Sequence, residues 1–261
     1  MFPCALFLCF FGVIPTKPPA LVTAAVHVDG RGPFRFLVDT GAQSTMIQAS
    51  LASELKLQPE FRVELVTVNG TRLTPGAKLR TLRLGATVLP ELEVLFHDLT
   101  EARRLDPAIR GVLGANALAH FDYSLTPRTG RLDTGTTRPL AGEVIPFSVV
   151  DGRITVQARM GREDLALALD SGASHMVLFR TPEAMAKTHA ITTTVSTMDG
   201  ARNVVPTVWT ADMTFAGRLR IGMQPAAIVG QDEAKVEGLL PASLFKKIFV
   251  DHARRELVVE R

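Results

Sequence analysis

The sequence predicts an all-β fold of two pseudo-symmetric lobes with a few short helices. The chain is rich in glycine (20 residues) and proline (16 residues), and short apolar runs alternate with turn dipeptides, as is typical of strands. Hydrophobic residues make up 46% of the chain, enough for a substantial core. The chain also aligns with itself at an offset of about 131 residues, so the same order of elements occurs twice.

The repeat is clearest around two short motifs. Residues 36–42, Phe-Leu-Val-Asp-Thr-Gly-Ala, align with residues 167–173, Leu-Ala-Leu-Asp-Ser-Gly-Ala. Later segments align at offsets from 127 to 132, a drift that loops of different length would cause. A turn-rich stretch at 134–139 separates the copies. We therefore predict three parts: an apolar N-terminal segment at 1–19, an N-terminal lobe at 20–137 and a C-terminal lobe at 138–261.

Local patterns predict the elements of each copy. The first lobe begins with an alternating strand at 22–28, a turn at 30–32 and an apolar run that leads into Asp39. Asn69-Gly70 and Asp199-Gly200 favour two-residue hairpin turns, because both turn positions need a positive φ. Short helices are predicted at 48–55, 116–121, 182–189 and 242–248.

The first fourteen residues are apolar and are followed by prolines at 15, 18 and 19. The run is too short for a stable membrane span and has the length of a signal-peptide core. It lacks a basic n-region and Pro3 interrupts it, so an apolar terminus without a targeting role is the alternative. We expect export, periplasmic or secreted, rather than a cytoplasmic location.

Composition argues against several classes of function. The net charge is only +3, and the cationic residues are scattered rather than interleaved with aromatics, so no nucleic-acid partner is expected. Both cysteines, Cys4 and Cys9, lie in the N-terminal segment, which excludes a disulfide framework in the folded body. The six histidines show no metal-ligand spacing. We expect no metal and no cofactor.

The two Asp-Thr/Ser-Gly motifs predict a pair of carboxyl groups. A strand that ends in this motif presents its carboxylate at a tight turn, where glycine permits close approach. Two such turns, related by a pseudo-twofold axis, would place Asp39 and Asp170 side by side. Carboxyls about 3 Å apart cannot both ionise, so the pair shares one proton. One member can then activate a water for attack on a peptide carbonyl, while the other polarises the carbonyl oxygen.

These motifs resemble the retropepsin-like and pepsin-like aspartic peptidases. The similarity rests on Val-Asp-Thr-Gly-Ala, on Leu-Asp-Ser-Gly-Ala and on the apolar-apolar-glycine element at 112–114. The repeat length of about 130 residues makes the chain look like two retropepsin-like units fused. The resemblance implies a bilobal aspartic-protease fold and an aspartic endopeptidase in which Asp39 and Asp170 are catalytic. It also implies a peptide or protein substrate and activity as a monomer.

The resemblance implies supporting roles for nearby residues. Thr40 and Ser171 would hydrogen-bond across the lobe interface and hold the two loops together. The active-site loop residues would be Thr40, Gly41, Ala42, Ser171, Gly172 and Ala173. A hairpin flap over the substrate would contain Val68, Asn69 and Gly70. Whether a second hairpin at Asp199-Gly200 acts in the same way stays open.

The chain departs from the family pattern in its second lobe and its flap. The second apolar-apolar-glycine element ends in Pro241, which has no N–H, so the packing behind Asp170 must differ locally. The only tyrosine, Tyr123, lies outside the flap. Ala42 and Ala173 stand where pepsin-like enzymes commonly carry a hydroxyl that donates to the aspartate. Without that donor we expect a pH optimum of roughly 5 to 7.

A non-catalytic peptide-binding or scaffolding protein of the same fold is the alternative function. Two carboxyls that repel each other argue against it, because a binding module has no reason to keep both.

Overall fold

The computed structural model describes residues 20–67, 70–139, 141–185, 191–197, 202–230 and 235–261, and the backbone of two short strands before them. These residues form 23 strands, three α-helices and two 3-10 helices. The predicted all-β fold with a few short helices is confirmed. In this described part of the chain, no helix combines the length and apolar character needed to cross a membrane.

The elements alternate along the chain with short connections. The strands up to the middle of the chain are β1 (Ala5–Leu6), β2 (Phe10–Phe11), β3 (Thr23–Val28), β4 (Arg31–Val38), β5 (Thr45–Gln48), β6 (Phe61–Thr67), β7 (Gly70–Leu84), β8 (Thr87–His97), β9 (Ile109–Leu113), β10 (Tyr123–Thr126) and β11 (Arg131–Thr134). The α-helices are α1 (Ala49–Glu54), α2 (Thr100–Leu105) and α3 (Ala115–Leu118).

The later strands are β12 (Glu143–Val150), β13 (Arg153–Met160), β14 (Glu163–Asp170), β15 (Met176–Leu178), β16 (Ile191–Thr197), β17 (Arg202–Trp209), β18 (Met213–Phe215), β19 (Leu219–Ile221), β20 (Pro225–Ile228), β21 (Gly238–Pro241), β22 (Lys247–Asp251) and β23 (Glu256–Glu260). The 3-10 helices are Glu183–Met185 and Ala242–Leu244.

Six strands of the first half close into a barrel. β3 pairs with β4, β4 with β9, β9 with β5, β5 with β8, β8 with β7, and β7 pairs again with β3. Apolar side chains such as Val26, Phe36 and Leu82 are fully buried and form part of the core. The parallel pairing of β4 and β9 sets Val38 beside Leu113. Asp39 is therefore the first residue after β4 leaves the barrel.

The second half makes corresponding pairings with interrupted strands. β13 pairs with β14, β14 with β21, β21 with β15, and β15 with β20. Two shorter strands, β17 and β18, occupy the position of the long β7 of the first half. Likewise, β19 and β20 occupy the position of β8. At the break, the Thr210 N–H donates to the Gln224 carbonyl at 2.8 Å, and the Gln224 N–H donates to Thr210 Oγ1 at 2.9 Å. These bonds connect the strands across the interruption.

A five-stranded antiparallel sheet joins the two halves in the order β11–β10–β22–β23–β12. β10 and β22, which occupy equivalent places in the two halves, pair with each other and set Tyr123 opposite Val250. Arg138, in the connecting stretch, donates to Asp251 at 2.8 Å and to Glu256 at 2.6 Å. The connection is thus bound to the sheet that both halves build.

The helix predictions were only partly right. α1 and α3 lie where helices were predicted, but the helix predicted at 242–248 is wrong beyond Leu244. Ile248 and its neighbours instead pair with both β10 and β23, and β-branched and aromatic side chains suit such a buried strand. At 182–189 the described residues form only the 3-10 helix Glu183–Met185, and 186–189 lie outside them.

Helix α2 was not predicted, although its sequence carries a start signal. Asp98 Oδ1 accepts a hydrogen bond from the Thr100 N–H at 3.1 Å. Glu101 lies in the first turn and two arginines lie in the last, which suits the helix dipole.

Candidate active site

The two Asp-Thr/Ser-Gly loops meet between the barrels. Asp39 directly follows β4 and Asp170 ends β14, and both side chains are fully buried. Each loop is supported by the neighbouring parallel strand. The Asp39 N–H donates to the Leu113 carbonyl at 3.0 Å, and Asp170 lies beside Pro241 in the strand register.

The same oxygen of each carboxyl is held by its own loop. The Oδ1 of Asp39 accepts the N–H groups of Gly41 at 2.9 Å and Ala42 at 3.1 Å, and the Oδ1 of Asp170 accepts those of Gly172 at 2.7 Å and Ala173 at 2.9 Å. Backbone donors therefore orient both carboxyls, although neither alanine supplies a hydroxyl. The second oxygen of Asp170 is buried and has no hydrogen-bond partner among the described residues.

The glycine of each loop faces the carboxyl of the other loop. A Cβ on Gly41 would lie 2.5 Å from Asp170 Oδ2, and a Cβ on Gly172 would lie 3.0 Å from Asp39 Oδ2. The first distance is shorter than real Cβ contacts, and the second is tighter than nine in ten of them. A side chain at position 41 would therefore displace the Asp170 carboxyl, and one at position 172 would press on that of Asp39. Each loop's glycine thus lies against the carboxyl of the other loop.

The hydroxyls of Thr40 and Ser171 bind the two loops to each other. Thr40 Oγ1 donates to the Leu169 carbonyl at 2.8 Å and accepts the Ser171 N–H at 3.0 Å. Ser171 Oγ donates to the Val38 carbonyl at 2.8 Å and accepts the Thr40 N–H at 3.1 Å. Each hydroxyl therefore acts once as donor and once as acceptor in an arrangement that is symmetric between the halves.

The environment of the site favours a proton on the carboxyl pair. Burial raises the pKa of Asp170 well above the ordinary carboxyl value, and the negative charge of Asp39 raises it further. The hydrogen bonds from Gly172 and Ala173 and the positive charge of Arg153 act in the opposite direction but do not cancel the rise. The pair therefore combines a buried acid with a neighbouring carboxylate, which is the arrangement that acid–base catalysis needs.

Arg153 is a residue that the sequence analysis missed. It begins β13 directly after the turn at 151–152, and it is 0% exposed. The sequence shows only a lone arginine between the turn at 151–152 and the run Ile154 to Val156, which does not by itself indicate burial. His175 also lies near the loop: it is half-buried, its Nδ1 lies 3.0 Å from Ser174 Oγ, and burial lowers its pKa.

Pro241 changes the packing behind Asp170, as expected from the sequence. In the first half the Gly114 N–H donates to Thr45 Oγ1 at 3.1 Å. The aligned residues of the second half are Pro241, which has no N–H, and Met176, which has no hydroxyl. Donor and acceptor are lost together, so the loss of this one hydrogen bond leaves neither of its two groups unpaired.

The two strands that lead into and out of the predicted flap lie within the described residues. β6 and β7 pair antiparallel, with Gly70 opposite Thr67. Val68 and Asn69 lie outside the described residues. In the second half β16 and β17 pair in the same manner, and the residues at 198–200 between them also lie outside. The described parts of these hairpins carry the exposed apolar side chains Leu73 and Val204.

The donor set of the site is suited to proton transfer by its own carboxyls. The described residues contain no group of three or more His, Cys, Asp or Glu side chains arranged to hold a metal ion. The two carboxyls themselves can donate and accept a proton over a short distance.

Comparisons with known proteins give one family match. Residues 24–117, well under half of the chain, match the family model described as "Aspartyl protease". A search of curated proteins found no match.

Several solved structures are similar over long stretches. Conglutin gamma, a basic 7S globulin from lupine seeds, is 12% identical over 97% of this chain and 95% of its own, with a TM-score of 0.49. Basic 7S globulin from soybean is 12% identical over 97% and 96%, with a TM-score of 0.46. A retropepsin-like aspartic protease from Rickettsia conorii is 18% identical over 47% of this chain and 95% of its own, with a TM-score of 0.31.

All three TM-scores are below 0.5. The strands of this chain form the predicted all-β architecture, in which two Asp-Thr/Ser-Gly loops face each other. Within this fold, residues 24–117, including Asp39, match the aspartyl protease family.

Proposed function

We propose that this protein is an aspartic endopeptidase that hydrolyses peptide bonds with a water activated between Asp39 and Asp170. The observation that carries the proposal is the pair of fully buried carboxyls on symmetric loops, each loop's glycine facing the other's carboxyl. The crossed hydrogen bonds of Thr40 and Ser171 hold this geometry. The family match of the first half supports the same reaction class.

The two aspartates have different roles in the proposed reaction. Because its pKa is raised, Asp170 is the member to which we assign the shared proton, and in this role it hydrogen-bonds the substrate carbonyl oxygen and polarises it. Asp39 takes the proton from the attacking water. After attack, protons return through the same pair to the leaving amine, so neither a covalent intermediate nor a cofactor is needed.

We further propose that the chain is two retropepsin-like units fused, with lobes at 20–137 and 138–261. Equivalent strand pairings support this organisation: Met46 lies opposite Val112 in the first half, and Val177 lies opposite Leu239 in the second. One chain then carries both aspartates and acts as a monomer. The hairpin that contains Gly70 would close over a peptide substrate. The apolar segment at 1–19 would direct export.

The test is digestion of a peptide library from pH 3 to pH 8, with and without a statine-type transition-state mimic. Asp39→Asn and Asp170→Asn should each lower kcat/KM by about 10²–10⁴-fold, because the reaction needs one acid and one base. Asp164→Asn, an exposed change on β14, is the matched control and should cleave like the unmodified protein.

Two results would contradict the proposal. One is a single aspartate variant that keeps more than about a tenth of the activity, since general acid–base catalysis contributes far more than tenfold. The other is binding of library peptides without cleavage at any pH, which would favour a peptide-binding or scaffolding protein.

A further inference from the structure

We propose that Arg153 is a positioning residue of the active site: its buried positive charge holds one negative charge on the Asp39–Asp170 pair. This inference rests on the proposed peptidase function. It concerns a residue outside both Asp-Thr/Ser-Gly motifs. It follows from burial, strand register and the balance of charge within the site.

Strand register places Arg153 at the same end of one strand pair as Asp170. In the antiparallel pairing of β13 and β14, Thr155 lies opposite Ala168. The pairing ends there; Arg153 begins β13 two residues before Thr155, and Asp170 ends β14 two residues after Ala168, so both lie at the same end of the strand pair. Side chains alternate along a strand, and directly opposed residues share a face, so the two charged groups lie on one face of the sheet.

The strand position of Arg153 carries a charged side chain in the second half of the molecule but not in the first. In the first half Thr23 lies opposite Leu37, the pair that corresponds to Thr155 and Ala168. The residue two before Thr23 is Leu21, which packs against apolar core residues. Arg153 therefore places a positive charge on one side of the candidate site, whereas the hydrogen bonds of the two loops are symmetric.

Charge balance explains what this arginine does. Arg153, Asp39 and Asp170 are all 0% exposed. A buried ion is costly unless an opposite charge compensates it. When the pair carries one proton, its single negative charge and the guanidinium sum to zero. When the pair takes a second proton, Arg153 loses that compensation, so the guanidinium disfavours the doubly protonated and inactive state.

Two elements bring charged groups close to Asp170, and a third, β21, brings none. The opposite loop contributes Asp39, β13 contributes Arg153, and both act on the Asp170 carboxyl. β21 contributes no ionisable side chain, since it reads Gly-Leu-Leu-Pro. His175, on the Asp170 loop itself, is shifted by burial alone. Arg153 is thus a cation of the described residues that acts on this carboxyl, and it favours the ionised pair.

The test compares the pH dependence of kcat/KM for the full chain and three variants on one peptide that the full chain cleaves. Arg153→Met should move the acid limb upward by about one pH unit or more, so that cleavage on that limb falls about tenfold. The plateau at higher pH should change far less. Arg153→Lys keeps the positive charge, so its acid limb should lie close to that of the unmodified chain. Arg159→Met, an exposed change on the same strand, should leave the profile unchanged.

An equal loss of kcat/KM at every pH in Arg153→Met, or an acid limb that does not move, would overturn the inference. The proposed function fails separately, if the unmodified chain cleaves nothing or if Asp39→Asn cleaves normally.

A denaturation cycle tests the same charge balance if Arg153→Met folds poorly or if no peptide is cleaved. Urea midpoints at pH 6 are compared for the full chain, each single Asp→Asn variant, the double variant Asp39→Asn/Asp170→Asn, and the double variant with Arg153→Met added. The double variant should have a lower midpoint than either single variant, because Arg153 has lost both carboxylates. Adding Arg153→Met should raise it again. A double variant as stable as the singles would overturn the inference.

Discussion

The hydroxyl groups of Thr40 and Ser171 decide how closely the two active-site loops are held. Each hydroxyl satisfies one carbonyl and one N–H of the opposite loop or strand. A residue of the same shape without the hydroxyl would fill the space but leave these groups unpaired. The rigidity of the carboxyl pair therefore depends on a few atoms that carry no charge.

Thr40→Val should lower the free energy of unfolding by about 2–6 kcal/mol, because two backbone groups lose their partner and each costs about 1–3 kcal/mol. Thr40→Ser keeps the hydroxyl and should lose much less. Urea unfolding at fixed pH measures both variants. Equal stability of the valine and serine variants would show that the crossed bonds contribute little.

The buried Asp170 makes stability depend on pH in an unusual direction. Because folding raises its pKa above the unfolded value of 3.8, the folded protein binds more protons than the unfolded chain above that pH. This contribution is fully present below the unfolded pKa and is lost as pH rises through the folded pKa. Each pKa unit of difference corresponds to about 1.4 kcal/mol.

Asp170→Asn should therefore gain stability relative to the unmodified chain as pH rises from 4 to 7, because asparagine cannot ionise. Urea unfolding at several pH values checks this expectation, with Asp164→Asn as the exposed control. Parallel pH–stability curves for the Asp170 variant and the unmodified chain would contradict it.

The strand that lies behind each aspartate needs a glycine for close packing. A Cβ on Gly238 would overlap the backbone carbonyl oxygen of Val177 on the neighbouring β15. Because backbone atoms cannot turn away as a side chain can, the two strands would have to separate. The same strand, β21, sets Pro241 beside Asp170, so the displacement would reach the active site.

Gly238→Ala should destabilise the protein by about 1–3 kcal/mol or more and also reduce cleavage. Gly230→Ala is the matched control, since no heavy atom lies within 4 Å of its added methyl group and its φ is not in the left-handed region. Thermal unfolding and kcat/KM should be measured for both. A Gly238 variant that behaves like the Gly230 variant would show that β21 can shift without affecting Asp170.

The two halves are joined by a sheet that neither could complete alone. Equivalent strands β10 and β22 pair at its centre, and Arg138 ties the connecting stretch to the buried Asp251. Burial alone would raise the pKa of Asp251, but hydrogen bonds from Arg254 and Arg138 lower it overall. The covalent connection and the shared sheet both keep Asp39 and Asp170 in one molecule.

Specific activity should therefore stay constant on dilution from micromolar to nanomolar concentration, because one chain supplies both aspartates. Light scattering at the higher concentrations gives the oligomeric state for comparison. A steep fall in activity that follows the loss of a dimer would contradict the single-chain active site.

The amino-acid sequence by itself determined the all-β class and the positions of the two Asp-Thr/Ser-Gly motifs. Both depend on local information: apolar alternation specifies strands, and a short motif repeated once marks two equivalent turns. Short segments were less certain, as the predicted helix at 242–248 shows. There the pairing of Ile248 with two neighbouring strands outweighed local preference.

Only the tertiary structure decided the electrostatics of the site. The raised pKa of Asp170 arises from its burial and from Asp39, which is 131 residues away in the chain. The role that we propose for Arg153 depends on the register of β13 against β14, and a lone arginine in the sequence carries no sign of that register. Burial and opposing charges arise from residues distant in sequence, so they can be known only once the strands are paired and the barrels are closed.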